Sequence, residues 1–391
     1  MEIIKLTAEQ YQDSMELSMY AFQYKIKDED IPKRKEMLKN HKILGVYQQE
    51  QLAAKLHIIP LEIIMPGGPW KMGGIAGVAT YPEFRRKGLV NALLKEALRE
   101  IKEEGQIVSF LHPFDIAFYR KFGWEIFTEN RQITIQCKDL QFVGKANGTI
   151  NRFSKETHTR EIEDIYHSYA TRFTGMLARD RDWWNHNIYQ DEKVAVYYDE
   201  NNNEAKGYIL YKIKDRKMDV QELVVLNQEA REGLWNFVCQ HDSMVDTVTL
   251  LVSVHDPFPY FLKQPKQKTE VYPYFMARIV DAEECLKRYV FRQGSESVFI
   301  HLEDDIAPWN NGSYLIGGTE VKVFKEKSGS TCTHRPKKGI SLNINTLTAI
   351  LFGYKRPNEL FELGYIEGNS SEVDKLEHII PYMKPFFYDF F

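Results

Sequence analysis

The chain has 391 residues, 43% hydrophobic and 27% charged, enough for two or three domains at about 150 residues each. No apolar run approaches the roughly 20 residues of a membrane span. Lys plus Arg number 51 against 55 Asp plus Glu, a net charge of −4, which excludes a global positive field for nucleic acid or anionic lipid and makes any anion site local. Cys137, Cys239, Cys285 and Cys332 are far apart, with no CxxC pair or secreted framework, and read as reduced core thiols. Residues 1–6 carry no recognisable export signal, so the cytoplasm is the expected compartment.

A helix is expected over 7–22, with Thr7 as N-cap and apolar residues at three- and four-residue spacing. A second follows over 31–38, with Pro32 in the first turn, where its missing N–H costs nothing. The period then becomes strand-like at 43–47, 52–61 and 71–80, with a polar turn at 48–51 and a Pro66-Gly67-Gly68-Pro69 break. Over 89–104, Leu89, Leu93, Leu94, Ala97, Leu98 and Ile101 mark one helix face and Lys95, Glu96, Arg99 and Glu100 the other. Gly105 ends this helix. A short strand at 107–111 and a short helix at 116–122, closed by Gly123, come next.

The middle of the chain repeats that order: a helix over 160–173, strands at 194–198, 207–213 and 218–226, a helix over 228–241 and a strand at 247–254. A structural repeat is the favoured reading, although α+β segments often share such an order. The last segment begins with a helix over 282–290 and continues with strands at 298–302, 314–316 and 321–324. Ile340, Leu342 and Ile344 alternate with polar residues as in a half-exposed strand, and Asn345 is expected to cap a helix carrying Leu347, Ile350, Leu351 and Tyr354. Three α+β units result, with boundaries placed at 1–150, 151–275 and 276–391.

The most informative stretch is GVATYPEFRRKGLVN at 77–91. A strand ends at Thr80, a basic loop closes on Gly88 and a helix begins, so unpaired backbone N–H groups converge at a helix N-terminus. The dipole there favours negative charge, and Arg85, Arg86 and Lys87 add local positive potential. A pyrophosphate suits such a cradle; a solvated basic turn is the plain alternative. Neither GxxxxGK[ST] nor GxGxxG is present, which leaves some other phosphate-bearing cofactor.

The strand, the RxxGx loop, the helix and then the phrase FYRKFGW at 118–124 together resemble the acetyl-CoA fold of the GCN5-related N-acetyltransferases. One departure is Val90, where most members carry Gly or Ala. Over essentially the whole chain the resemblance is to the Eis family, which joins a catalytic acetyltransferase domain, a degenerate second one and a sterol-carrier-like C-terminal domain. The implied fold class is α+β, with two acetyltransferase-type mixed sheets flanked by helices and a C-terminal α/β domain.

That resemblance implies acetyl-CoA as co-substrate; no metal is expected, since no metal-ligand motif is present. The backbone of Val78, Ala79 and Thr80 would hold the pantetheine arm; Arg86, Lys87, Gly88, Leu89, Val90 and Asn91 would hold the pyrophosphate. Phe114 and Asp115 would lie near the thioester, and Tyr119 would be the general acid. A phenol of pKa about 10 can donate to a departing thiolate of parent pKa about 8.5. At the matching place the middle unit reads Leu226-Asn227-Gln228-Glu229-Ala230-Arg231-Glu232; its two carboxylates would repel phosphate, so it is expected to bind no acetyl-CoA.

The last seven residues, PFFYDFF, are too aromatic to leave in water, so the tail is expected to pack into the protein. Composition alone favours an aromatic plug or an oligomer contact. The Eis resemblance instead implies that the carboxylate of Phe391 enters the active site as general base. His112 reads as a structural hydrogen-bonder, and Trp183, Trp184 and His186 as packing or pocket residues. Asp28, Glu29, Asp30, Glu83, Asp115 and Asp389 are candidates to attract a cation. No HExxH, Cys/His ligand pair or serine elbow appears, so direct transfer in a ternary complex is expected.

The expected function is therefore acetyl transfer to a primary amine, aminoglycoside-like or lysine-like. By resemblance the assembly is a homo-oligomer, a hexamer; the charge balance and the lack of a long apolar run leave no nucleic-acid or membrane partner expected. A hydrophobic-ligand carrier and a protein lysine acetyltransferase are the alternatives.

Overall fold

A computed structural model describes residues 1–294, 296–317, 320–325 and 338–391. Contacts divide the chain into two compact units: Met1–Phe127 with Phe275–Met383 and Phe391, and Thr128–Tyr274 with Lys384–Phe390. The fold is mixed α+β, built on three sheets flanked by helices. Cys137, Cys239 and Cys285 are free thiols; Cys332 lies outside the described residues.

The first unit carries two sheets. One has the strand order Ile4–Lys5, Lys42–Gln48, Gln51–Met65, Gly68–Thr80, Val108–Leu111, Met276–Ile279, Glu125–Ile126. Only Gly68–Thr80 and Val108–Leu111 pair in parallel, and a parallel pair needs a crossover. The helix Leu89–Glu103 supplies it, burying Leu93, Leu94, Ala97, Leu98 and Ile101 against the sheet as its periodicity predicts. Each such leucine contributes on the order of 1.5–3 kcal/mol by leaving water.

The expected break at residues 66–69 is smaller than the sequence suggests. Gln51–Met65 and Gly68–Thr80 form one long hairpin in which Met65 pairs with Gly68 and Ile64 with Pro69. Gly67 and Gly68 adopt φ of 92° and 126°, which lets the chain reverse within two residues. Thr7 caps a short 3-10 turn, Ala8–Gln10, which runs into the helix Tyr11–Phe22; its N–H donates to Gln10 Oε1 at 2.8 Å.

The other sheet of this unit has the order Glu320–Phe324, Gly312–Gly317, Ser297–Glu303, Ile340–Asn343, Glu367–Gly368. Here the cap expectation needs correction. Asn343, not Asn345, caps the helix Ile344–Leu351, accepting from the Thr346 N–H at 2.9 Å. Asn343 has the extended backbone that turns its side chain toward the first turn. Asn345, already helical, donates to the carbonyls of Arg120 and Trp124.

The second unit repeats the plan of the first. Its helix Arg160–Ala170 precedes an antiparallel run, and the helix Gln228–Cys239 leads to Thr247–Ser253, parallel to Lys217–Val225. The sheet order is Lys268–Pro273, Glu129–Gln136, Thr247–Ser253, Lys217–Val225, Ala205–Lys214, Lys193–Tyr198, Thr149–Phe153.

Candidate functional site

The parallel pair in the first unit opens into a fork. Val108–Leu111 follows Gly68–Thr80 only as far as Phe110 opposite Gly74, while Gly68–Thr80 continues to Thr80 paired on its other edge alone. The edge beyond Gly74, which includes Val78, Ala79 and Thr80, thus has no strand beside it among the described residues. Register shifts at the same place: His57 pairs with Ala76 but Lys55 with Ala79, so Gly77 and Val78 together oppose Leu56. Gly77 takes φ of 54° to make this bulge. A bare strand edge is a template for an extended ligand with amide groups.

The chain then enters the basic loop. Arg86 has φ of 60° and Gly88 φ of 77°, after which the helix Leu89–Glu103 begins with no side-chain cap. Its first bond runs from the Ala92 N–H to the Gly88 carbonyl at 3.1 Å. A Cβ on Gly88 would meet nothing within 4 Å, so the space before the helix is open. Arg86 and Lys87 are exposed and have no ion pair among the described residues; Lys87 Nζ lies 5.0 Å from the Phe84 ring centroid. Leu89 is buried and offers only its backbone. Uncapped N–H groups, open space and unpaired cations fit a diphosphate.

Past the fork, Asp115 caps the short helix Ile116–Arg120, its Oδ1 accepting from the Phe118 N–H at 2.7 Å. The carboxylate holds that helix in place. Phe114 is exposed, and its ring stands 5.4 Å from that of Tyr119. Tyr119 is buried between the rings of Phe114, Phe118 and Trp124, and its hydroxyl has no hydrogen-bond partner among the described residues. Burial raises its pKa, so the phenol keeps its proton. Exposed His112 has its ring 5.6 Å from that of Phe275, and burial of part of the imidazole lowers its pKa.

Phe391 sits at the fork itself. A Cβ on Gly74 would come within 2.7 Å of Phe391 Cε2, and the Phe391 and Phe275 rings meet edge to face at 5.1 Å. The rest of the tail belongs to the second unit. There Thr174 and residues 384–386 exchange main-chain hydrogen bonds, and the Tyr388 hydroxyl bonds both main-chain groups of Leu223. Asp389 accepts from Arg179 Nε at 2.8 Å and from Trp183 Nε1 at 2.7 Å, with both ion-paired side chains fully buried. Arg179 also pairs with Glu222 and lies over the Tyr166 and Trp184 rings. Asp389 is therefore a tail anchor, not a group awaiting a cationic acceptor, and Trp183 is one of its donors.

The matching loop of the second unit differs. Asn227 caps the helix Gln228–Cys239 by accepting from the Ala230 N–H at 2.9 Å, and Glu229 accepts from the Tyr197 hydroxyl at 2.7 Å. That helix end already has an acceptor and a carboxylate.

One buried polar group escaped the sequence reading. Lys55 Nζ donates to Ser18 Oγ at 2.6 Å and lies 2.8 Å from His57 Nε2, while His57 Nδ1 lies 3.2 Å from His41 Nδ1. Its only sequence signal is two ionisable residues inside the apolar run AAKLHII at 53–59. Among the described residues no set of three His, Cys, Asp or Glu side chains is placed to hold a metal, and no helix is long and apolar enough to cross a membrane.

Comparison with known proteins agrees with this architecture. Two acetyltransferase (GNAT) domain families match residues 2–127 and 175–279, and a sterol carrier protein domain family matches 282–388. An uncharacterized N-acetyltransferase of Streptomyces avermitilis is 21% identical over 382 residues, 90% of this chain and 89% of its own. N-acetyltransferase Eis of Mycobacterium bovis is 27% identical over 231 residues, 56% of this chain and 54% of its own. Among solved structures, a probable N-acyltransferase from Enterococcus faecalis superposes with a TM-score of 0.92 at 26% identity, covering 100% of this chain and 99% of that one. Eis1 from Mycobacterium abscessus, at 20% identity and full coverage of both chains, shares the fold with a TM-score of 0.82. Two acetyltransferase-type units followed by a sterol-carrier-type domain, in this order and over nearly all of the sequence, make the chain an N-acetyltransferase of the GNAT type that is similar to N-acetyltransferase Eis.

Proposed function

We propose that the chain transfers an acetyl group from acetyl-CoA to a primary amine, aminoglycoside-like or lysine-like, by direct attack in a ternary complex. The observation that carries this reading is the bare strand edge leading from the fork at Gly74 to the uncapped helix at Gly88. Acetyl-CoA, the co-substrate implied by the acetyltransferase domains, supplies a thioester acyl group. The main chain of Val78, Ala79 and Thr80 holds the pantetheine arm. Arg86, Lys87 and the backbone of Gly88, Leu89, Val90 and Asn91 hold the pyrophosphate. Phe114 and Asp115 border the thioester end: the first gives an apolar wall, the second fixes the helix carrying Tyr119.

Tyr119 donates a hydrogen bond from its free hydroxyl toward the departing sulfur; burial keeps the phenol protonated, which preserves the donor but makes full proton transfer to the thiolate harder. Phe391 is the residue to which the family resemblance assigns the general base, and its ring lies against the fork. The second unit binds no acetyl-CoA, because Asn227 and Glu229 already occupy its helix end. A homohexamer is carried by resemblance.

The test is calorimetric titration with acetyl-CoA, followed by a panel of aminoglycosides, polyamines and lysine peptides. Thiol release and product mass are the readouts. Saturable binding with an acetylated amine supports the reading; absence of binding removes it.

A further inference from the structure

We propose that Lys55 is itself an acetyl acceptor, and that the enzyme acetylates this buried amine when no external amine is present. The proposal rests on the reading of the Gly68–Thr80 edge as the acetyl-CoA slot. Its own evidence is the environment of Lys55, which no step of that reading uses.

The Lys55 side chain is fully buried, and among the described residues no carboxylate pairs with it. Its neighbours are Ser18 and His57, then Ser14 and His41, and Arg34 contributes a further positive charge. An isolated buried ammonium is costly, and a neutral amine is the cheaper state. Burial, with the Arg34 charge, brings the Lys55 pKa down to about 7. His57 is held well below its ordinary value by burial and by the Lys55 and His41 charges. A desolvated, neutral lysine is a nucleophile, the condition that lysine-based covalent catalysis requires.

Position completes the argument. A Cβ on Gly77 would stand 2.9 Å from Lys55 Nζ. The amine therefore lies against the main chain of the bulge, where Gly77 and Val78 together oppose Leu56. The bare edge is one strand away, and a strand is about 4.8 Å wide.

In the step, Lys55 Nζ forms a C–N bond to the acetyl carbonyl carbon and the thioester C–S bond breaks. The amine proton passes by way of His57 Nε2, 2.8 Å away, and the sulfur leaves as the thiol of CoA. The product is a neutral amide, which asks for no counter-charge in the buried site.

The experiment incubates the full chain with acetyl-CoA and no acceptor. Acetyl-CoA binding is titrated in parallel, intact mass is followed, and the modified peptide is mapped. One acetyl increment on the peptide containing Lys55, saturating with cofactor binding, is expected. Lys55→Arg should lose the increment and keep binding, and His57→Gln should slow labelling while binding persists. Wild-type protein suffices for the decision, so poor folding of a variant does not obscure it. Binding with Lys55 unmodified overturns the proposal and leaves the acetyl-CoA reading intact. So does acetyl scattered over exposed lysines in the pattern that acetic anhydride produces. No binding overturns both.

Discussion

Asp389 and Arg179 form a fully buried ion pair at 2.8 Å, two residues before Phe391. Burial raises the Asp389 pKa, with Arg179 opposing, whereas Arg179 is held charged against burial by Asp389 and Glu222. Removing one partner leaves an uncompensated charge in the interior, at a cost of about 3–5 kcal/mol. Arg179→Leu should therefore lower the melting temperature of the second unit by roughly ten degrees. A thermal scan showing no change would mean that the pair is not ionised as described.

Tyr119→Phe keeps the ring that packs against Phe114, Phe118 and Trp124 and removes only the hydroxyl. Turnover should fall by about a hundredfold or more, the usual contribution of a positioned acid. Acetyl-CoA affinity should hold. Unchanged thiol release in the variant would transfer the acid role elsewhere.

Phe391 makes its ring contacts at Gly74 and Phe275. Removing it, or extending the chain past it, should abolish acetyl transfer and preserve acetyl-CoA binding. Full activity in an extended protein would reject the carboxylate as base.

Titration should give one acetyl-CoA per chain, because the two helix ends differ: Gly88 is uncapped, whereas Asn227 caps its own helix beside Glu229. Arg86→Glu should weaken binding, and the affinity of wild-type protein should fall with added salt, since exposed charges are screened. A stoichiometry of two would show that the second unit is not degenerate.

Much of this was legible locally. The leucine stripe of Leu89–Glu103 and the alternation of the strands announce the elements, and Gly88 announces the start of that helix. The fork was not legible, because it depends on which strand leaves which partner at Gly74. Nor was the Asp389 anchor, whose partner Arg179 is distant in sequence and brought near by the fold. The cap at Asn343 was misplaced by two residues because Ile344 continues the apolar alternation of the strand although it is already the first residue of the helix.

Stability should depend on pH through the Lys55 group. His41 is lowered to about 4, first by burial and then by the Lys55 and Arg34 charges, and His57 is lowered well below its usual value. Below about pH 6.5 the unfolded chain takes up protons that the folded one refuses, so stability falls with pH until the folded groups titrate. Lys55, brought down to about 7 by burial and the Arg34 charge, has the same sign between its unfolded value of about 10.4 and neutrality. Denaturant midpoints should drop more steeply from neutral pH to about pH 5 in wild-type protein than in His57→Gln. Parallel curves would remove the histidines from the account.

Met276–Ile279 lies between Val108–Leu111 and Glu125–Ile126 in the finished sheet, although the whole Thr128–Tyr274 unit is made before it. During synthesis the N-terminal strands leave the ribosome with a gap in their ladder and two bare edges to protect. The nascent chain is thus most prone to aggregation, and most in need of a chaperone, until this late strand emerges.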